Sequence, residues 1–457
     1  MTDRGRLKGV PPATMAVLLL SVFTVSIGYG VVLPLLPYLL ERLLGASGGA
    51  AQVARSTGLL TGLYTLSLFL FAPAWGWMSD RYGRRRILLV GLIGFGATTM
   101  TAAFIDTLPA VYVERFLSGV FAAAVTPVAL AAIADLVTTE KARARQLTFV
   151  SLAGISGFLL GPMLGVFVAR GGAGILGTAA PAGSLAFPLA GSAILAFLVA
   201  IGAAVAVPGK RAAAASSDVK RITLQRGRWL VPRLLALAFI VSAGVGVFEV
   251  GLALRGKQEL GLTQYQIAMM FTECSLVMFV VQAAVFSPWV KPETTRWFIA
   301  PTLGVLAVAL LLVPRATDFR LMLAVVGAVA ASAGILSPIL TYWISSKAGA
   351  TQGAELGKQT AAASLGVTVG SAAGGLLFRV QWLPNASFVL IAALTGVGFL
   401  LSLGLIKALS TPKSTYVAHK GRVRPAPSPL ARHAEPRQAD ATSAHRGAFA
   451  RRPPFRK

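Results

Sequence analysis

The sequence predicts an all-α membrane protein with twelve transmembrane helices in two pseudo-symmetric six-helix bundles. Of its 457 residues, 55% are hydrophobic and 13% charged, and its mean hydropathy is +0.73. Because soluble domains carry about 25% charged residues, an ordinary soluble enzyme is excluded. A spanning helix needs about 20 apolar residues, and twelve apolar runs of suitable length lie between positions 14 and 406.

Basic residues are distributed unevenly between the two sides of the predicted spans. With the N-terminus inside, the 42 Lys and Arg divide into 33 on the inner side, 8 on the outer side and Arg115 within a span. This excess follows the positive-inside rule, so we expect both termini in the cytoplasm of a bacterial cell and the spans in its inner membrane. The same rule accounts for most of the net charge of +26, so we expect no nucleic acid partner.

A polar, basic loop divides the spans into six and six. The predicted segments are a cytoplasmic N-terminus (1–13), a first bundle (14–207), a central cytoplasmic loop (208–230), a second bundle (231–406) and a tail (407–457). The tail is basic and has no hydrophobic period, which predicts disorder. Two roles fit this composition: contact with anionic lipid head groups, or a passive tail.

Glycines repeat between the two halves. The fifth predicted span contains Gly157, Gly161 and Gly165, and the same spacing recurs 209 residues later as Gly366, Gly370 and Gly374 in the eleventh. Glycines four apart favour close helix packing. Their recurrence indicates two related six-helix units.

The loop after the second span has a distinctive pattern, GWMSDRYGRRR at positions 76–86. We expect Gly76 to let helices approach and Gly83 to permit a tight turn, while Asp80 pairs with a cation or caps the next helix. A basic stop-transfer loop explains the arginines but not this spacing of Gly and Asp. The pattern resembles the signature loop of the major facilitator superfamily.

The resemblance implies a latch on the cytoplasmic face, formed by this loop, including Arg81. It implies that Arg84 reaches an acid at the inner end of the fourth span, which here is Asp135.

Two further stretches resemble the drug:proton antiporter branch of the same superfamily. One is the Leu-Pro-x-x-Pro pattern around Pro34 and Pro37; the other is the Gly157-x-x-x-Gly161-Pro162-x-x-Gly165 run, where Pro162 can kink the helix. Arg115 begins an RFLSG stretch that resembles the family's membrane-embedded arginine, implied to take part in proton coupling. The chain departs from several relatives because residues 26–30 carry no acid.

Four charged residues lie at membrane depth. Inserting a charged side chain there costs about 2.5–3.5 kcal/mol, so such a residue usually forms an ion pair or belongs to a functional site. Glu273 lies about 14 Å deep and Glu249 about 8 Å at the helical rise. Glu273 is the first candidate proton carrier, and the alternative is a structural acid held by hydrogen bonds. Glu249 is the second candidate, and the alternative is a residue exposed to water at the outer mouth. Adjacent Glu114 and Arg115 point about 100° apart, so we expect one of them to pair with a neighbouring helix.

Polar and aromatic side chains in the spans are candidates to line a cavity. They are also compatible with lipid contact or core packing, and Gln359 with a simple polar position at the inner edge. The candidates are Tyr29, Tyr64, Phe248, Phe271 and Gln359.

These observations predict a secondary transporter, most simply proton-coupled efflux of a small amphipathic drug or metabolite by alternating access. The alternative is a symporter or facilitator that takes up a sugar, organic acid or similar solute. We expect no catalytic residues, metal or other cofactor, because no phosphate loop, ligand cluster or nucleophile–base pair occurs in the sequence. The expected partners are the substrate, protons and lipid, and the expected state is a monomer.

Overall fold

The computed structural model describes most of the chain as helix. It describes residues 10–45, 48–137, 140–175, 186–209, 229–285, 287, 292–347, 352–380, 385–405 and 409. In these residues the chain forms twelve α-helices: α1 Pro12–Leu44, α2 Ala50–Tyr82, α3 Arg84–Ala102, α4 Leu108–Leu136, α5 Glu140–Ile175, α6 Ala186–Ala206, α7 Leu230–Gln258, α8 Gln264–Val285, α9 Arg296–Leu312, α10 Phe319–Lys347, α11 Gln352–Leu376 and α12 Ala386–Leu403. Most of the central loop and the tail lie outside the described residues.

Ten of these twelve helices are long and apolar enough to cross a membrane. The two others are α3 and α11. Helix α3 begins with three arginines, and α11 is rich in Gly, Ala and polar residues. These residues lower the mean hydropathy of α3 and α11 below that of a typical membrane-spanning helix.

Two faces of the molecule can be named from the first helix. We call the end where α1 begins the Pro12 face and the end where it stops the Leu44 face. Because successive helices run in opposite directions, the turns between α1 and α2, α7 and α8, and α9 and α10 all lie at the Leu44 face.

The same packing arrangement occurs in the N-terminal half (α1–α6) and the C-terminal half (α7–α12). Helix α5 packs on α1, and α11 packs on α7. A Cβ added to Gly157 or Gly161 would lie 2.4 Å from the Phe23 carbonyl oxygen or 2.9 Å from that of Ile27. The backbones therefore touch, as the glycine pattern predicts.

The C-terminal half repeats these contacts. A Cβ on Gly366 would lie 2.4 Å from the oxygen of Phe239, and one on Gly370 would lie 2.2 Å from that of Ala243. Phe239 and Ala243 of α7 lie 216 residues after Phe23 and Ile27, which make the equivalent contacts in α1. The internal repeat is thus present in the helix contacts as well as in the sequence.

Among the described residues, five helix pairs join the halves: α2 with α11, α5 with α8, α1 with α7, α1 with α8, and α2 with α7. The closest approach is between α2 and α11, where a Cβ on Gly58 would lie 2.6 Å from the Cα of Gly375. Further along the same pair, the hydroxyl groups of Thr65 and Thr368 are hydrogen-bonded at 3.0 Å. The halves therefore meet directly along their helices.

Candidate functional site

Glu114 and Arg115 form a buried ion pair in the first third of α4. Arg115 Nε lies 2.6 Å from Glu114 Oε2, and Arg115 Nη2 lies 2.8 Å from Glu114 Oε1. The two side chains thus pair with each other, and Arg115 also contacts a neighbouring helix through the Tyr64 ring of α2. The long arginine side chain spans the angle between adjacent positions, and two parallel hydrogen bonds offset the cost of burying both charges.

Aromatic rings connect this ion pair to the C-terminal half. The Arg115 guanidinium lies 5.7 Å from the centre of the Tyr64 ring, and Tyr64 stacks on Tyr29 with ring centres 5.2 Å apart. Tyr29 also stacks on Phe158 of α5 at 5.8 Å. The Tyr29 hydroxyl donates a 2.9 Å hydrogen bond to Glu249 Oε2 of α7. A continuous set of contacts thus runs from α4 through α2 and α1 to α7.

Glu249 is buried, with 8% of its surface exposed. The alternative that it is a water-exposed residue of the outer mouth is wrong. Helix α7 continues to Gln258, nine residues beyond Glu249, which places the carboxylate about 14 Å from the helix end instead of 8 Å. The apolar run ends earlier than the helix because the last turn of α7 contains Arg255 and Lys257.

A small cavity lies beside these side chains. Its volume of about 10 Å³ is room for roughly one water molecule. The lining includes Tyr29, Tyr64 and Arg115, with apolar residues from α1 and α2. This cavity is too small for a solute larger than water.

Glu273 lies at the predicted depth, nine residues into α8. It is half-buried, and its Oε2 atom is buried without a hydrogen-bond partner among the described residues. Its Oε1 atom faces Gly327 of α10. Glu273 therefore contacts α10 of its own half, whereas Glu249 contacts α1 of the opposite half.

The remaining cavity candidates have other environments. Phe248 and Phe271 are fully buried in the main apolar core, so they do not line the small cavity. Gln359 is half-buried and donates a hydrogen bond of 2.5 Å to Thr341 Oγ1. That contact joins α11 to α10 and matches the interpretation of Gln359 as an inner-edge polar residue.

The loop between α2 and α3 forms the predicted contact with α4. Arg84 Nε donates to Asp135 Oδ2 at 3.0 Å. The same guanidinium reaches Ser79 Oγ and Asp80 Oδ1, each at 2.5 Å. Arg84 therefore ties the end of α2, the start of α3 and the end of α4 together at the Pro12 face.

Gly76 and Gly83 have different roles from each other. Gly83 has φ 99° and separates α2 from α3, a conformation that favours glycine. The expectation that Gly76 permits close helix approach is wrong, because a Cβ added there would meet no atom within 4 Å. Arg81 is exposed, with its guanidinium over the rings of Trp77 and Tyr82 at 5.7 and 5.9 Å.

Pro162 and Gly165 lie on the face of α5 that contacts α1. A Cβ on Gly30 would lie 3.3 Å from Pro162 Cδ, and one on Gly165 would lie 3.2 Å from Val31 Cγ1. The pattern therefore coincides with a packed helix pair next to Tyr29.

A cluster at the Leu44 face joins the two halves and was not predicted. Lys257 of α7 pairs with Glu41 of α1, and its ammonium lies 4.5 Å from the Tyr38 ring centre. Tyr38 donates to the Leu262 carbonyl at 2.6 Å, and Gln258 donates to the Ala50 carbonyl at 3.1 Å. The opposite charges of Glu41 and Lys257, near the ends of α1 and α7, were the feature of the sequence that could have predicted this contact. Sequence reasoning treated Lys257 as part of a loop.

Comparison with known proteins identifies the family of this chain. The sequence model of the Major Facilitator Superfamily matches residues 18–356. Multidrug resistance protein 1 of Bacillus subtilis (strain 168) is 26% identical over 399 residues, covering 85% of this chain and 95% of that protein. Quinolone resistance protein NorA of Staphylococcus aureus (strain COL) is 26% identical over 389 residues, covering 84% and 95%.

Solved structures share the fold. The human organic anion transporter MFSD10 (TETRAN) superposes with a TM-score of 0.64 at 20% identity, covering 86% of this chain and 100% of that one. A bacterial homologue of the human lysosomal transporter Spinster, in an inward-facing and occupied conformation, gives 0.66 at 13% identity, covering 86% and 96%. The chain is thus a multi-pass membrane transporter and not an enzyme, and it belongs to the Major Facilitator Superfamily.

Proposed function

We propose that this transporter exports a small amphipathic molecule, a drug or a metabolite, in exchange for protons. The two halves rock about the site formed by Tyr29, Tyr64, Arg115 and Glu249, and the Pro12 face lies in the cytoplasm. The names of the Bacillus and Staphylococcus relatives support an amphipathic drug as substrate. The internal repeat of helix contacts supports a rocking motion about a central site.

The observation that carries the proposal is the hydrogen bond between Tyr29 and Glu249. Glu249 is buried, belongs to no ion pair among the described residues, and accepts a hydrogen bond from the opposite half. A carboxyl group in such a place can hold a proton in one conformation and release it when the halves separate and water enters. Arg115 is already paired with Glu114, so its positive charge does not favour loss of the proton from Glu249.

The contacts between halves support an inward-facing state. The Lys257, Tyr38 and Gln258 contacts all join α1 or α2 to the C-terminal half at the Leu44 face. Near the Pro12 face, the hydrogen bonds from Arg84 to Asp135 and from Gln359 to Thr341 stay within one half. Separation of the Lys257 contacts, with closure at the Pro12 face, is the opposite step of the proposed cycle.

The test is transport by proteoliposomes that enclose a pH-sensitive dye, with an imposed pH gradient and a panel of lipophilic cations and metabolites. The variants are Glu249→Gln and Glu273→Gln, with Asp106→Asn as the control because Asp106 is an exposed loop carboxylate. We expect substrate-dependent proton flux in the wild type and in the control, and loss of that flux in Glu249→Gln.

Other outcomes contradict specific parts of the proposal. Loss of flux only in Glu273→Gln would move the proton to Glu273 on α8. Substrate movement without proton flux would indicate a facilitator. Protons and substrate moving in the same direction would indicate the uptake symporter, and either result overturns the antiport assignment.

A further inference from the structure

Helices α9 and α10 enclose an apolar groove on the outer surface of the C-terminal half. Its volume is about 600 Å³, and every residue that lines it is apolar. Small residues, including Gly304 and Ala324, form part of the lining, while Val305, Val308 and Leu321 are exposed along it. The groove is separate from the Tyr29–Glu249 site, which is lined by other helices.

The length of the groove matches one leaflet of a bilayer. Its lining on α9 extends from Pro301 to Leu312, which is about 16 Å at the helical rise. Half of a hydrocarbon core about 30 Å thick is about 15 Å. Because α9 ends at the Leu44 face, the groove runs from that face to the middle of the membrane.

Positive charge lies at the Leu44 end of the groove. Arg315 in the turn between α9 and α10 and Arg320 in the first turn of α10 are exposed, and neither forms an ion pair among the described residues. The one acid in this turn, Asp318, accepts a hydrogen bond of 2.8 Å from the Leu321 backbone, so it caps α10. The turn has a net positive charge next to an apolar slot.

Arg255 holds this turn in place from inside the protein. It is buried, pairs with Glu259, and donates to the carbonyl oxygens of Pro314 and Ala316 at 2.6 and 3.0 Å. The exposed arginines are therefore presented by an anchored turn, and loss of their charge leaves the anchor intact.

We propose that the α9–α10 groove binds one phospholipid from the leaflet on the Leu44 side. An acyl chain lies along α9, and the phosphate contacts Arg315 and Arg320. A second copy of the chain fits this surface less well, because a two-fold interface brings the same patch of both subunits together. The arginines of one copy would then lie against those of the other.

The test measures lipid retention in nanodiscs of phosphatidylethanolamine and phosphatidylglycerol, followed by native mass spectrometry of the released full-length protein. Ala324→Phe fills the groove from an exposed position, and its control is Val205→Phe on the exposed surface of α6. The double variant Arg315→Gln/Arg320→Gln removes the charges. Its control is Arg42→Gln/Arg55→Gln, which alters two exposed arginines near the Leu44 face.

We expect one retained phospholipid in the wild type and in both controls. Retention falls about thirty-fold in the double arginine variant, since each of the two basic residues contributes about 1 kcal/mol to lipid attraction. Retention also falls in Ala324→Phe, because the added ring occupies the space of the acyl chain. Equal retention in all five proteins overturns the proposal. A dimer that Ala324→Phe dissociates, with lipid unchanged, also overturns it and makes the groove a subunit interface. If Ala324→Phe fails to fold, the arginine variant alone decides.

Discussion

Tyr29 is the side chain through which α1 touches the candidate proton site on α7. Its ring stacks on Tyr64 and Phe158, and its hydroxyl donates to Glu249. The ring and the hydroxyl therefore have separate functions. The ring positions the side chain, whereas the hydroxyl donates a hydrogen bond to the buried carboxylate of Glu249.

Tyr29→Phe keeps the ring and removes the donor. A buried acceptor left without its partner costs about 1–3 kcal/mol, so we expect transport in proteoliposomes to fall about ten-fold with expression unchanged. Tyr64→Phe is the matched control, because the Tyr64 ring makes the stacking and cation–π contacts and its hydroxyl forms no hydrogen bond seen in the described residues. Equal losses in the two variants would contradict the role given to the Tyr29 hydroxyl.

Arg84 concentrates three contacts in one side chain at the Pro12 face. Its partners are Asp135, Asp80 and Ser79. We expect a double-mutant cycle of Arg84→Ala and Asp135→Ala, measured by unfolding in mixed detergent, to give a coupling of about 1 kcal/mol, as for partly exposed ion pairs.

The same cycle contains an internal comparison. Arg84→Ala should destabilise the protein more than Asp135→Ala, because it also removes the contacts with Asp80 and Ser79. Arg81→Ala is the control, since that exposed arginine forms no ion pair within the described segments. A coupling near zero would show that the contact between α3 and α4 is incidental.

Helices α5 and α11 each contact their partner helix through a line of glycines. This packing explains why the glycine repeat recurs at a fixed distance along the chain: equivalent helices meet equivalent partners in the two halves. A side chain at these positions must push two backbones apart, whereas a glycine elsewhere in a helix only lowers its helix propensity.

Gly370→Ala tests this difference. Its Cβ would lie 2.2 Å from the Ala243 oxygen, and overpacking of this kind costs about 1–3 kcal/mol. We expect a clear loss of thermal stability in detergent. Gly396→Ala in α12 and Gly76→Ala in α2 meet no atom within 4 Å and should be neutral or stabilising by up to about 1 kcal/mol. Destabilisation by all three would contradict the packing explanation.

Several contacts between the two halves lie together at the Leu44 face. The partly buried side chain of Lys257 contacts Glu41 and Tyr38, and Phe167 of α5 lies against Tyr265 of α8 with ring centres 6.4 Å apart. These contacts come from both halves, so their separation requires a movement of one half relative to the other. Their loss should change the balance between conformations more than the stability of either half.

Lys257→Gln should raise the population open at the Leu44 face about five-fold, because it removes a partly exposed ion pair worth about 1 kcal/mol. Spin labels at Thr107 and Thr317, one on each half, report this as a longer distance, with Cys274→Ala removing the single native cysteine. Arg42→Gln at the same face is the control. An unchanged distance distribution would show that the Lys257 cluster does not hold the face closed.

Sequence reasoning predicted most of the architecture because hydrophobic runs are local features. The all-helical class, the contact of Arg84 with Asp135 and the close packing at Gly157 and Gly161 follow from residues whose neighbours are specified by a loop or a helix repeat. The site was predicted less well. Glu273 ranked first by depth, yet the structure joins Glu249 to the opposite half, and it pairs Glu114 with Arg115.

The sequence by itself determined that the chain is an all-α membrane protein with an internal repeat, since composition, hydropathy and glycine spacing depend on neighbours along the chain. Its loop motif indicated a transporter through its resemblance to a known family. The tertiary structure alone decided which side chains meet across the halves. Tyr29 and Glu249 are separated by 220 positions, and Glu41 and Lys257 by 216. Such contacts depend on how helices pack in three dimensions, and the depth of a residue in its own helix carries no information about the helix it faces.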